Sequence, residues 1–206
     1  MNREPPIPRT PYEVALVRGG PRAAVTVAVV GLYLRGAVEA GRPGTVRALP
    51  AHAAPRAPEP LRAAVLAALR EHPLGIRDLV RHPDVRLALA ELRVGLAEAG
   101  LLRFPFLGPN RAAHRLVRAL RERHPLPTSR RGMTHDDKLL AVALHGDGAL
   151  RLLVPRFALR AGLLPRAEAA PGGKRPPYHG DRGGGGGSCG GGWGGCGGGG
   201  GCGGGG

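Results

Sequence analysis

Between Arg103 and Arg131 the chain carries eight arginines and one acid, Glu122, a charge of +7 in 29 residues. A guanidinium stays charged at every physiological pH and offers a planar fork of donors that matches phosphate or carboxylate. The candidate anion-binding residues are therefore Arg111, Arg115, Arg118, Arg121, Arg130 and Arg131. The plainer reading is a solvated helix surface, with the stems covering apolar area and the heads in water.

Nothing else in the sequence has the spacing of a reactive centre. His135-Asp136 and His145 invite comparison with a metal-dependent hydrolase, but ten residues of helix turn through about 280° and point the two imidazoles apart. Asp136 and Asp137 fit the first turn of a helix, where carboxylates offset the macrodipole. Gly186-Gly187-Ser188-Cys189-Gly190 satisfies a nucleophile-elbow pattern, yet that motif needs a strand before it and a helix after it. Lys138 and Lys174 are the only lysines, and neither follows a phosphate-binding glycine loop. Cys189, Cys196 and Cys202 have six and five residues between them in a run of glycines, unlike a zinc knuckle, and His179 is the one nearby candidate for a fourth ligand. Thiols in such a setting are accessible and exchangeable, so metal scavenging, intermolecular disulfides, modification and an inert tail all stay open. The expectation is a protein that is not an enzyme, with no catalytic residue, metal or cofactor.

The elements that must position the arginines follow from composition and periodicity. Of 206 residues, 36 are Gly, and 19 of those fall in the last 24, so residues 166–206 read as a Pro/Gly spacer and a disordered Gly/Cys-rich tail of low complexity. Only 3% of the chain is aromatic, so its core must be built from Leu, Val and Ala, which suits helices. The net charge is +15, with 27 basic against 14 acidic residues before position 171, so the basic excess belongs to the foldable part.

Residues 1–11 form a Pro-rich extended lead. A module over 12–49 follows: a helix from Tyr12 to Arg18, a stop at Gly19-Gly20, and a second helix opening at Pro21 with Val25, Val29, Leu32 and Tyr33 on one side. Two short strands about Gly41-Arg42-Pro43-Gly44 complete the module. Residues 50–58 read as a linker. Residues 59–165 repeat the helical theme, with stripes at Leu61–Leu69, Ile76–Val80 and Val85–Leu96. Gly100 and the strand Leu101–Phe104 then give the order of a winged helix. Asn110 and Thr134 each cap a further helix, and two short ones cover 149–153 and 155–161. The fold class is mainly α, with winged-helix-like pieces and one or two short β-hairpins. The start, Met1-Asn2-Arg3-Glu4, has no apolar run behind its basic residue and predicts no signal peptide. The longest uncharged apolar stretch, Ala23–Leu34, has 12 residues and predicts no spanning helix, since about 20 are needed.

Four blocks occur together: Tyr12-Glu13-Val14-Ala15-Leu16-Val17-Arg18-Gly19-Gly20-Pro21-Arg22, Leu32-Tyr33-Leu34-Arg35-Gly36-Ala37-Val38, Val142-Ala143-Leu144-His145-Gly146, and the Gly/Cys ending. Over nearly the whole chain they resemble an uncharacterised actinobacterial family of TIGR-type domain-containing membrane proteins. The Arg-Gly-Gly-Pro block and the tail are the specific parts, and the resemblance implies no activity. Members often have hydrophobic spans before the tail, where this chain has Arg-rich helices. Leu32–Val38, Ala97-Glu98-Ala99-Gly100-Leu101-Leu102-Arg103 and Thr134–Leu144 bear a more distant likeness to the Golgi-phosphoprotein family. That likeness implies an Arg-lined pocket for an anionic headgroup at a membrane.

The functional expectation is a binding or scaffold protein whose Arg-rich face meets an anionic lipid surface or an acidic protein. It would be cytoplasmic and peripheral at the inner membrane face. The alternative is a winged-helix DNA-binding regulator, with Val85–Ala99 in the major groove and Arg86, Glu91, Arg93 and Glu98 among its exposed positions. The two acids, and the lack of Asn, Gln, Ser, Thr and Lys there, weaken base reading. No small-molecule ligand follows from the sequence.

Overall fold

In the computed structural model, which describes residues 10–50, 59–103 and 108–164, Thr10 and Glu13 form a capping box that starts helix α1, Pro11–Leu34. The Glu13 amide donates to Thr10 Oγ1 at 3.3 Å and the Thr10 amide donates to Glu13 Oε2 at 3.4 Å. The described residues all belong to one compact unit, which lies within 1–168. Most of the lead, nearly all of the linker, Phe104, the spacer and the tail with its three cysteines lie outside the described residues.

The two N-terminal segments expected from the sequence run on as one helix with a break. Gly19 (φ −143°, ψ 17°) and Gly20 (φ 70°, ψ −164°) leave helical geometry just before Pro21. Pro21 has no amide hydrogen to give to the preceding turn, and only glycine visits the Gly20 conformation without strain. Positions 12 and 31 of a straight helix would stand about 28 Å apart. Instead, Tyr12 Oη comes within 3.4 Å of where a Cβ at Gly31 would sit. The chain therefore reverses at the glycines, and the two halves of α1 lie side by side.

This corrects a simple count of uncharged residues. By length and composition α1 would suffice to cross a bilayer, contrary to the sequence expectation, yet 67% of its most apolar window is buried inside the protein. Because of the reversal, neither half reaches across a hydrocarbon core of about 30 Å.

The second half of α1 is apolar around most of its circumference, which marks a central helix. Val25, Val27, Val29, Val30 and Leu32 are all fully buried, not only the single stripe the periodicity suggested. Each contributes roughly 1.5–3 kcal/mol on leaving water. Around α1 pack α2 (Pro60–Glu71), α3 (Ile76–Arg81), α4 (Pro83–Glu98), α5 (Arg111–Arg123) and α6 (His135–His145). Two short helices, α7 (Asp147–Leu153) and α8 (Pro155–Arg160), complete the eight among the described residues. Buried Arg62 on α2 faces Tyr12, whose hydroxyl pKa is raised by burial and partly pulled back by the Arg62 charge.

Two antiparallel hairpins accompany the helices. Strands β1 (Val38–Ala40) and β2 (Val46–Ala48) pair Glu39 with Arg47, and Arg47 Nε donates to Glu39 Oε1 at 2.8 Å. Strands β3 (Leu102–Arg103) and β4 (Gly108–Pro109) follow Gly100, which ends α4 at φ 67°. The order α2, α3, α4, hairpin is the one expected of a winged helix. One pairing joins this region to the N-terminal module: Val46 and Leu74 exchange amide-to-carbonyl bonds of 2.8 and 3.0 Å. The two regions share a single hydrophobic core.

Candidate anion-binding clefts

Helix α5 owes its start to Asn110, whose Oδ1 accepts from the Ala113 amide at 2.9 Å. Ala113 and Val117 are buried beneath it, so 3.6-residue periodicity turns Arg111, His114, Arg115, Arg118 and Arg121 outward. Arg115, Arg118 and Arg121 line one wall of a 520 Å³ cleft, together with His114 and Glu122. Arg18, the last residue of α1 before its glycine break, lines the same cleft from another helix.

Arg18 reaches this position because Gly146, at φ 57° and ψ −122°, leaves its side of the α6–α7 junction without a side chain. The Arg18 Nε is buried and has no hydrogen-bond partner. Burial, and next the charge of Arg121, hold the Arg18 guanidinium below its usual pKa, while Asp147 acts in the opposite sense. Arg121 Nε donates to the Leu144 carbonyl at 2.8 Å, which ties α5 to the end of α6. Neither the Arg47–Glu39 nor the His82–Glu71 ion pair involves a cleft arginine, and the one carboxylate on the cleft lining is Glu122. Four arginines against Glu122 on the lining and Asp147 near Arg18 leave a net positive charge that raises the local potential and draws in an anion.

Arg130 and Arg131 lie elsewhere. With Lys138 and Arg156 they line a second cleft, of 740 Å³, whose floor includes Tyr33 and Phe157. The two rings are stacked at 3.9 Å between centroids and 10° between planes. Arg111 is exposed and lines neither cleft; its carbonyl accepts from Arg115 Nε at 3.5 Å. The six arginines that the sequence presents as one run are thus divided three, two and one.

Sequence reasoning did not find Arg18, Lys138, Arg156 or the Tyr33–Phe157 pair. The signal for Arg18 was present, since a cation directly before Gly-Gly-Pro sits at a forced break in a helix. The others come from distant segments, and no local pattern connects them. His135 and Asp136 are exposed, and His145 Nε2 is 2.8 Å from the His124 carbonyl oxygen. Among the described residues no three His, Cys, Asp or Glu side chains come together as a metal site. Asp137 closes a capping box with Thr134, and its carboxyl pKa is lowered chiefly by the Thr134 hydroxyl, which donates to it at 2.7 Å. On α4 the exposed residues include Arg86, Glu91 and Glu98, but also Leu87 and Val94, 64% and 54% exposed, while Arg93 is half-buried.

Comparison with protein-family models, curated proteins and solved structures finds no match to this chain.

Proposed function

We propose that this protein is a non-enzymatic binding module that sits peripherally on an anionic membrane surface, taking a phosphorylated lipid headgroup in the Arg18 cleft. The observation that carries this reading is the meeting of Arg18, Arg115, Arg118 and Arg121 around one opening with no carboxylate paired to any of them. Each basic residue near an anionic leaflet is worth about 1 kcal/mol, so four would raise partitioning about a thousandfold at physiological salt. The more distant family likeness implies the same chemistry, and a position on the inner face of a membrane accords with it.

Co-sedimentation with vesicles tests the proposal. Binding should require anionic lipid, weaken as salt shortens the screening length, and fall in an Arg118→Ala, Arg121→Ala double variant. No preference for anionic over zwitterionic vesicles at low salt would sink it. The rival, a DNA-binding regulator, draws on the order of α2 to β4, yet Leu87 and Val94 on the exposed face of α4 offer no donors to base edges. A sequence-specific gel shift abolished by Arg86→Ala and Arg93→Ala would favour the rival.

A further inference from the structure

The second cleft combines two features that the first does not bring together. Its floor is apolar, made by Leu34, Leu153, Val154 and the Tyr33–Phe157 stack. Its rim is cationic, with Arg130 and Arg131 from the α5–α6 connection, Lys138 from α6 and Arg156 from α8, and no carboxylate lines it. Its 740 Å³ falls within the range of about 300–1,000 Å³ typical of small-molecule sites. Phe157 is buried at 4% exposure, whereas Tyr33, lying over it, is 36% exposed. The aromatic stack therefore ends in a partly exposed ring on the cleft lining, against which a third flat ring can pack.

We infer that this cleft binds a nucleoside polyphosphate, with the base stacked on Tyr33 and the phosphates held by Arg130, Arg131, Lys138 and Arg156. Four cations match the charge of a triphosphate, and the lack of carboxylates means that a metal ion is not recruited by the protein. A bare lipid phosphate would leave the aromatic platform unused, and an aromatic ligand without phosphate would leave the cations unused. The inference does not rest on the membrane reading, because the two clefts share no lining residue.

Isothermal titration of the full chain with ATP, tripolyphosphate and adenosine, without divalent metal, tests it. ATP should bind about tenfold more tightly than tripolyphosphate, the usual worth of one base stacked on an aromatic ring, and adenosine far more weakly than either. Tyr33→Ala should bring ATP down to the tripolyphosphate level and leave tripolyphosphate unchanged. Tyr33→Leu, which keeps an apolar cover on Phe157, should do the same with an unaltered melting curve. An Arg130→Ala, Arg131→Ala pair should weaken both anions, and the Arg118→Ala, Arg121→Ala pair should leave the preference for ATP over tripolyphosphate unchanged. Equal affinities for ATP and tripolyphosphate, indifference to Tyr33 or no heat from ATP would overturn the inference. So would a single-stranded oligonucleotide that binds a hundredfold more tightly than ATP, since the cleft would then belong to nucleic acid.

Discussion

The guanidinium of Arg18 occupies the space that the side chain of any other residue at Gly146 would need: a Cβ there would overlap Nη1 and lie 3.0 Å from Cζ. Gly146 also has φ 57° with ψ −122°, outside the region that L-residues visit at low cost. Gly146→Ala should therefore destabilise the protein by about 1–3 kcal/mol from backbone strain, with a further loss from displacing Arg18. Urea denaturation of the single variant and of Gly146→Ala combined with Arg18→Ala separates the two. The second change should restore only the steric part.

Arg18 itself should be dispensable for folding. Burial and the neighbouring Arg121 both work against its charge, and replacing such a group with an apolar one of similar length is often neutral or stabilising. Arg18→Met should leave the melting temperature unchanged or raised, while retention on anionic vesicles falls severalfold. A melting temperature lowered by several degrees would make Arg18 a structural residue instead.

At the start of α6, Thr134→Ala should cost about 1 kcal/mol through loss of the N-cap and release the Asp137 carboxyl toward its ordinary range. The folded pKa of Asp137 is depressed. Its contribution is therefore complete above the unfolded value and lost as pH falls through the folded one. Denaturation along an acid series should show the gap between wild type and variant narrowing below the usual carboxylate range. An NMR titration of Asp137 should show its midpoint moving up in the variant.

The tip of the first hairpin rests on the end of α8. The Gly44 amide donates to the Arg160 carbonyl at 2.8 Å, and a Cβ at Gly162 would stand 3.0 Å from Gly44 Cα. Gly162 also sits at φ 68°, so Gly162→Val is strained as well as crowded. It should speed hydrogen exchange at the Gly44 amide at least tenfold, the result of weakening local closure by about 1.4 kcal/mol.

Local chemistry made most elements readable in advance. Asn110 and Thr134 cap the helices where their types suggest, Gly100 ends α4, and Gly41–Gly44 turns a hairpin. What could not be read was anything fixed by contacts between distant segments. The bond pair between Val46 and Leu74 depends on how the hairpin meets the α2–α3 connection. The burial of Val27 and Val30 depends on neighbours surrounding α1 on several sides, where a single periodic stripe accounts for only one. The arginine run misled for a related reason. It spans a helix and the irregular connection after it, so equal density along the chain became two separate openings, each completed by residues from elsewhere.

The reversal at Gly19 and Gly20 also sets which way the molecule is wired. Arg18 closes the first half and so stands at the turning point, while Tyr12 near its start is carried back to Gly31. A spectroscopic label at Thr10 would therefore sit about 12 Å along the helix axis from Arg18, close enough to report on an anion that arrives there.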